Sequence, residues 1–130
     1  MKLEVSNGEI VDKFTILQIK KEKITNPIAL ANVAKEWEML VPIVVDIVDE
    51  YDNGSHHHAK LLRINTELWE IEDKLRVLED EYLFKDEFIQ LARRVYKVND
   101  TRAQVKKEIN LMTNSKLVEE KFYTTNIPEI

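Results

Sequence analysis

The sequence predicts an all-α fold, an elongated helical bundle built on a long antiparallel helix hairpin. Composition is the first reason: the 130 residues include only two glycines and three prolines, with 33 % charged and 44 % hydrophobic residues, as is typical of helix-rich proteins. The second reason is that apolar residues recur at alternating spacings of three and four over residues 60–112, which places them on one stripe of an α-helix. The stripe comprises Leu61, Ile64, Leu68, Ile71, Leu75, Leu78 and Tyr82, then Phe88, Leu91, Val95, Val98, Val105, Ile109 and Met112.

A short connection joins the two halves of this stretch. Residues 83–86 separate them, and so short a link favours antiparallel neighbours. We therefore expect a third helix at about 56–82 and a fourth at about 86–112. A tail follows over 113–130, in which residues 117–122 add a short helical turn. We interpret the whole chain, 1–130, as one domain.

Two further helices are predicted before the hairpin. Ser6 and Glu9 fit a capping box, in which the Ser6 hydroxyl accepts the Glu9 amide and the Glu9 carboxylate returns to Ser6, so the first helix should cover about 7–24. Asn26 is a favourable N-cap and Pro27 is tolerated at the first helical position, which predicts a second helix over about 27–51. Helical spacing persists through Pro42, so we expect a kink there or a break into two nearly collinear helices.

Charge and composition exclude several classes of function. A net charge of −5 argues against binding to nucleic acid, which requires a basic surface. No apolar run approaches the ~20 residues of a membrane span, and the first residues lack the apolar core of a signal peptide. The absence of cysteine excludes thiolate chemistry and suits a reducing compartment. The sequence thus predicts a cytoplasmic protein that binds neither nucleic acid nor a membrane.

Polar residues interrupt the apolar stripes of the hairpin. Arg102 lies on the seam of the fourth helix, and a buried charge is tolerated only when it is paired, with Glu72 or Asp100 as the expected partner. The cluster either fixes the register between the helices or forms the floor of a small-ligand site, in which Arg102 would suit a carboxylate or a phosphate. Its expected members are Asn65, Glu72, Tyr96, Asn99 and Arg102, with Asp73 and Asp100 nearby.

Acidic and histidine side chains are the candidate metal ligands. Acids lie one turn apart on two consecutive predicted helices, at Asp46, Asp49, Glu67, Glu70 and Asp73. All-helical magnesium-dependent nucleotide pyrophosphohydrolases use paired acids of this kind. The helical phase, however, spreads Glu67, Glu70 and Asp73 over the flank and outer face, which favours a solvated acidic face. His56, His57 and His58 point about 100° apart on a helix and cannot converge on one ion, so we expect these histidines to be solvated. With no nucleophile or phosphate-loop motif either, we predict no catalytic residue, no metal site and no cofactor.

Five motifs together resemble a known family. They lie at 6–13 (SNGEIVDK), 65–73, 91–103, 107–110 and 119–121, and they resemble small uncharacterised all-helical proteins of bacteria and phages, sometimes encoded near surface-polysaccharide glycosyltransferases. The chain departs from the family pattern at 41–58, which argues against a histidine site. The resemblance implies no activity. It singles out polar residues as a candidate ligand site, namely Asp12, Lys13, Glu72, Asp73, Asn99, Asp100 and Arg102.

The expected function is that of a non-enzymatic protein-interaction or scaffold module. Apolar residues beside the main seams give each long helix a second apolar edge that four helices do not cover, which predicts a homodimer and allows for another protein partner. These edge residues are Leu62, Trp69, Ile89 and Tyr96. The alternative is a metal-dependent helical enzyme that binds or hydrolyses a nucleotide or a sugar nucleotide.

Overall fold

Four helices make up the part of the chain that the computed structural model describes, residues 1–125. Their bounds are α1 Asn7–Lys23, α2 Pro27–Glu50, α3 Gly54–Asp80 and α4 Asp86–Met112. No strand occurs within residues 1–125, so the predicted all-α bundle on a helix hairpin is confirmed. None of the helices in this range is both long enough and apolar enough to cross a lipid bilayer. The end of the predicted tail, 126–130, lies outside the described residues.

The hairpin of α3 and α4 supplies most residues of the central buried apolar cluster. Each helix has 27 residues, about 40 Å at 1.5 Å per residue. Ion pairs from Glu67 to Arg94 (2.6 Å) and from Lys74 to Glu87 (3.4 Å) cross between the helices in antiparallel order. The central cluster, between these helices and against the first two, consists of Val11, Ile47, Leu61, Ile64, Ile71, Val98, Val105 and Ile109.

The first two helices cover one end of the hairpin. Helix α1 packs against α3 and α4, while α2 packs against α1 and α3. Phe14 and Trp37 stack between α1 and α2 with ring centroids 4.1 Å apart. Helix α2 runs without interruption through Pro42. Pro42 offers no amide hydrogen to the Glu38 carbonyl, and both residues are exposed.

The turn between α2 and α3 is tighter than expected. Helix α3 begins at Gly54 instead of near His56, because Gly54 is buried against the end of α2. A Cβ atom at this position would lie 2.5 Å from the carbonyl oxygen of Val48. His57 and His58 lie near the start of this helix, and both are half-buried.

At the start of α1, the predicted N-cap at Ser6 is present, but the reciprocal bond from Glu9 is not. The Ser6 hydroxyl accepts the Glu9 amide at 3.1 Å, which confirms the N-cap. The Glu9 carboxylate does not return to Ser6, because it binds the Lys106 ammonium group of α4 at 2.6 Å instead. An ionic partner gives a stronger hydrogen bond than a neutral amide. Ser6 in turn donates to the Glu119 carboxylate at 2.7 Å.

The segment after α4 is non-helical from residue 116 to 125. It returns along α4 through ion pairs from Glu120 to Lys107 (2.9 Å) and from Lys121 to Asp100 (2.7 Å). The helical turn predicted over residues 117–122 is therefore wrong. Charged contacts with α4 determine this segment's path, and its apolar side chains, which suggested a helix, are exposed.

Gly8 gives a test of how closely α1 approaches α4. Its amide donates to the Asn110 side chain at 2.7 Å, and a Cβ atom here would collide with the carbonyl oxygen of Lys106. In an open helix, Gly→Ala stabilises by about 1 kcal/mol. We expect Gly8→Ala to have the opposite sign and to lower the free energy of unfolding in urea by ~1–3 kcal/mol. Ala59→Gly, at an exposed position of α3, is the control for helix propensity alone. A Gly8→Ala variant at least as stable as the wild type would contradict the close packing.

Candidate ligand cavity beside a buried ion pair

The site is built on an ion pair between α1 and α4. Asp12 is only 1 % exposed, and Arg102 binds it with two parallel hydrogen bonds, Nε to Oδ1 at 2.9 Å and Nη2 to Oδ2 at 2.5 Å. This bidentate geometry is the strongest that an arginine and a carboxylate form. The expectation that Glu72 or Asp100 pairs with Arg102 is wrong, because the partner comes from α1.

Helix α3 joins the same network. The Asn65 amide donates to Asp12 Oδ1 at 2.9 Å and to Thr15 Oγ1 at 2.8 Å, and the Lys106 ammonium lies 3.8 Å from Asp12 Oδ2. Within residues 1–125, every buried side-chain nitrogen and oxygen has a hydrogen-bond partner. Three helices thus meet on one carboxylate, and this geometry favours the interpretation in which polar residues fix the helix register.

The Arg102 guanidinium stays protonated at all ordinary pH values. Hydrogen bonding to Asp12 raises the pKa of Arg102; burial of the guanidinium opposes this shift, while the charges of Asp12 and Glu9 reinforce it. A raised pKa in the folded state means that the stabilisation is fully present below the unfolded value and is lost only in strong alkali. The basic side chain of the pair is therefore no switch in the physiological range.

A cavity of about 410 Å³ opens beside Arg102, where α1, α3 and α4 meet. This volume lies within the range of small-molecule sites. The apolar part of its wall consists of Ile16, Ile19, Leu68 and Trp69, and the polar part consists of Asn65, Glu72, Asp73, Arg76, Asn99 and Arg102.

The structure divides the predicted ligand residues into two groups. Four of them line the cavity, and Asp12 lies behind Arg102 in the ion pair. Lys13 instead pairs with Glu36 of α2 at 3.3 Å, and Asp100 pairs with Lys121 of the C-terminal segment. Tyr96, expected to be partly buried in the cluster, is 60 % exposed. The four that line the cavity are Glu72, Asp73, Asn99 and Arg102.

The rim of the cavity has hydrogen-bonding capacity that the protein does not use. Glu72 lies 3.8 Å from Arg76, a loose ion pair. Asp73 has neither an ion pair nor a side-chain hydrogen bond within residues 1–125. The Nη1 atom of Arg102 donates to Asn99 at 3.5 Å, the outer limit for a hydrogen bond. The saturated network behind Arg102 therefore contrasts with a loosely bonded rim.

The sequence analysis did not predict several of the residues that line the cavity, although their helical spacing could have indicated them. Ile16 and Ile19 follow Asp12 by four and seven residues, so they share its helix face. Arg76 has the same relation to Trp69 on α3. The sequence alone does not predict that α1 lies against both α3 and α4 near Arg102.

The acids and histidines do not assemble into a metal site in the described part of the chain. No three histidine or acidic side chains within residues 1–125 are placed to share an ion. Glu67, from the acidic row of α3, accepts the Arg94 guanidinium at 2.7 Å. His57 lies 3.3 Å from Glu108, while His58 contacts Gln18 at 2.9 Å, and burial lowers the pKa of His58. The expectation of solvated histidines is thus wrong for these two residues.

A larger groove, of about 930 Å³, lies between α4 and the C-terminal segment. Its charges pair across the groove, as in the ion pairs of Lys107 with Glu120 and of Lys121 with Asp100. These pairs hold the segment on α4, so the groove is a product of that attachment.

Replacement of Arg102 tests how much the ion pair contributes to the stability of the fold. Arg102→Met leaves the Asp12 carboxylate buried beside Asn65 without its bidentate partner. We expect the free energy of unfolding in urea to fall by ~3–5 kcal/mol, the usual cost of breaking a buried pair. Arg93→Met is the matched control, since Arg93 is exposed and forms no ion pair within residues 1–125; its change should stay within ~0.5 kcal/mol. Equal stability of Arg102→Met and the wild type would show that the pair is dispensable.

Comparison with known proteins adds the family. The profile of DUF6165, a family of unknown function, matches residues 1–129. Searches of the curated proteins and of the solved structures find no match to this chain. Because the profile covers almost the full length, the helices, the ion pair and the cavity all lie within the matched region. The chain belongs to the DUF6165 family.

Proposed function

We propose that the protein is a non-enzymatic helical interaction module that self-associates through the end of the α3–α4 hairpin at which the two helices connect. The observation that carries this proposal is exposure: over residues 77–90 every side chain is exposed except Leu78, which is buried, and Phe88, which is half-buried. A patch of apolar side chains on a helical surface typically marks an interaction site. The large apolar residues exposed there, which we call the tip surface, are Val77, Tyr82, Leu83, Phe84 and Ile89.

The first two helices do not extend to the tip surface. Along α3, side chains of α1 share the cavity wall with residues as far as Arg76, which lies there together with Ile19. Helix α1 ends at Lys23, and the chain turns at Asn26 into α2. Beyond Arg76, α3 and α4 therefore pack mainly on each other and leave their outer faces to solvent.

The backbone at the tip supports a role for Tyr82. Helix α3 ends in a Schellman motif, in which the Leu83 amide donates to the Leu78 carbonyl at 2.8 Å and Tyr82 has φ 55°. Glycine is favoured at this position, and a bulky residue costs roughly 1–2 kcal/mol. Tyr82 gains little packing in return, because its side chain is 83 % exposed and meets Phe84 only edge-on, with centroids 6.3 Å apart. A strained, displayed side chain of this kind suggests recognition.

Charge favours a second copy of the chain as the partner. Residues 79–87 contain five acids and a single lysine. Further along α4, Arg93 and Lys97 form no ion pair within residues 1–125, and between them lies Tyr96, which is 60 % exposed. Antiparallel pairing of two hairpins would place the acidic tip of each on the Arg93–Lys97 stretch of the other, about 15 Å along the helix. Such a pairing is two-fold symmetric and closed.

The molar mass in solution tests the proposal. Light scattering on a concentration series should give a dimer that weakens as salt increases, because ion pairs between exposed groups are screened. Tyr96→Glu brings an acid against the acidic tip and should give a monomer. Leu111→Glu, also exposed on α4 but at the other end of the helix, is the matched control and should leave the dimer intact.

Three results would refute the dimer or its location. They are a wild-type protein that stays monomeric at the highest concentration, a dimer that tightens with salt, and loss of the dimer in Leu111→Glu to the same extent as in Tyr96→Glu.

A further inference from the structure

We infer that the cavity beside Trp69 binds an organic cation, meaning an ammonium or guanidinium group carried on an apolar body. The proposal concerns a different surface from the tip and does not depend on self-association. It rests on the charges that line the cavity, on the Trp69 indole and on the apolar wall beside it.

The charges of the cavity wall leave one carboxylate uncompensated. The Arg102 charge is neutralised by Asp12, which binds it bidentately from behind. Arg76 and Glu72 offset each other as a loose pair at 3.8 Å. Asp73 remains; it is an exposed carboxylate at the rim, without an ion pair or side-chain hydrogen bond within residues 1–125. The cavity therefore has an excess negative charge and favours a cation over an anion.

An aromatic face lies next to this carboxylate. Trp69 precedes Asp73 by four residues on α3, so the two side chains share one face of the helix. Indole is the aromatic ring that attracts cations most strongly. The other tryptophan of the chain already holds one, because the Lys21 ammonium lies 4.1 Å from the centre of the Trp37 ring. Trp69 has no such partner among residues 1–125, and its ring borders the cavity.

The apolar residues of the wall indicate what the uncharged part of the ligand is. Ile16, Ile19 and Leu68 are apolar and would accept a hydrocarbon chain or an aromatic ring. The Arg76 guanidinium, which is only loosely paired with Glu72, shows that a guanidinium group can approach this rim. Because the Arg76 side chain is mostly exposed, a ligand cation could displace it easily. The predicted use of Arg102 as an anion receptor is disfavoured, because Asp12 occupies two of its three nitrogens.

Tryptophan fluorescence can report on binding directly. The chain has two tryptophans, so Trp37→Phe leaves Trp69 as the single reporter and keeps an aromatic ring on Phe14. Titration with phenethylamine or agmatine should give a saturable change in emission. Phenylacetate and 2-phenylethanol, the anionic and neutral counterparts of phenethylamine, should give none at the same concentrations. In the wild-type protein, the Trp69 indole N–H resonance should shift with the amine while that of Trp37 stays in place, which gives the same readout if Trp37→Phe does not fold.

A matched pair of variants locates the charge. Asp73→Asn should weaken phenethylamine binding about threefold to fivefold, as expected for loss of an ion pair with an exposed carboxylate. Glu70→Gln removes an exposed acid next to Trp69 that does not line the cavity, and it should leave the affinity unchanged. Equal binding of phenylacetate, a response to the amine that does not saturate, or full affinity in Asp73→Asn would each overturn the proposal.

Discussion

The ion pair between Asp12 and Arg102 is the constraint on which the arrangement of the helices depends. A carboxylate that is 1 % exposed cannot remain without a partner, so α1 must lie where Arg102 can reach it. The neighbouring contacts agree with that placement: Gly8 meets Asn110, and Glu9 meets Lys106, so α1 runs antiparallel to α4. The one buried charge of α1 thus sets both the direction and the register of the helix.

Apolar periodicity predicted the hairpin, and the capping residues Ser6 and Asn26 predicted the starts of the first two helices, because each is a local property of the sequence. The partner of Arg102 could not be predicted in the same way. Asp12 lies 90 residues away, and phase alone ranks Glu72 and Asp100 equally well. The end of α3 was predicted two residues too late. Tyr82 occupies the left-handed position after the helix, where a glycine would normally indicate that the helix ends.

The molecule is divided along its length into a covered and an uncovered part. In the covered part, α1 and α2 pack on the hairpin, and the polar groups are fully bonded around Asp12. In the uncovered part, α3 and α4 pack on each other and expose the tip surface. The cavity beside Trp69 lies at the boundary, where the last turns of α1 still reach α3. The closely packed base and the exposed tip surface thus lie at opposite ends of the hairpin.

Native-state hydrogen exchange tests most directly whether the buried pair ties α1 to the hairpin. At a concentration low enough to keep the protein monomeric, the amides of Val11 and Leu17 in α1 should exchange only through global unfolding. Their opening free energy should equal that of Val105 and Ile109 in α4, whereas amides at the tip should open locally at lower cost. If α1 amides exchanged through a local opening while α4 remained protected, the ion pair would not be the interaction that holds the fold together.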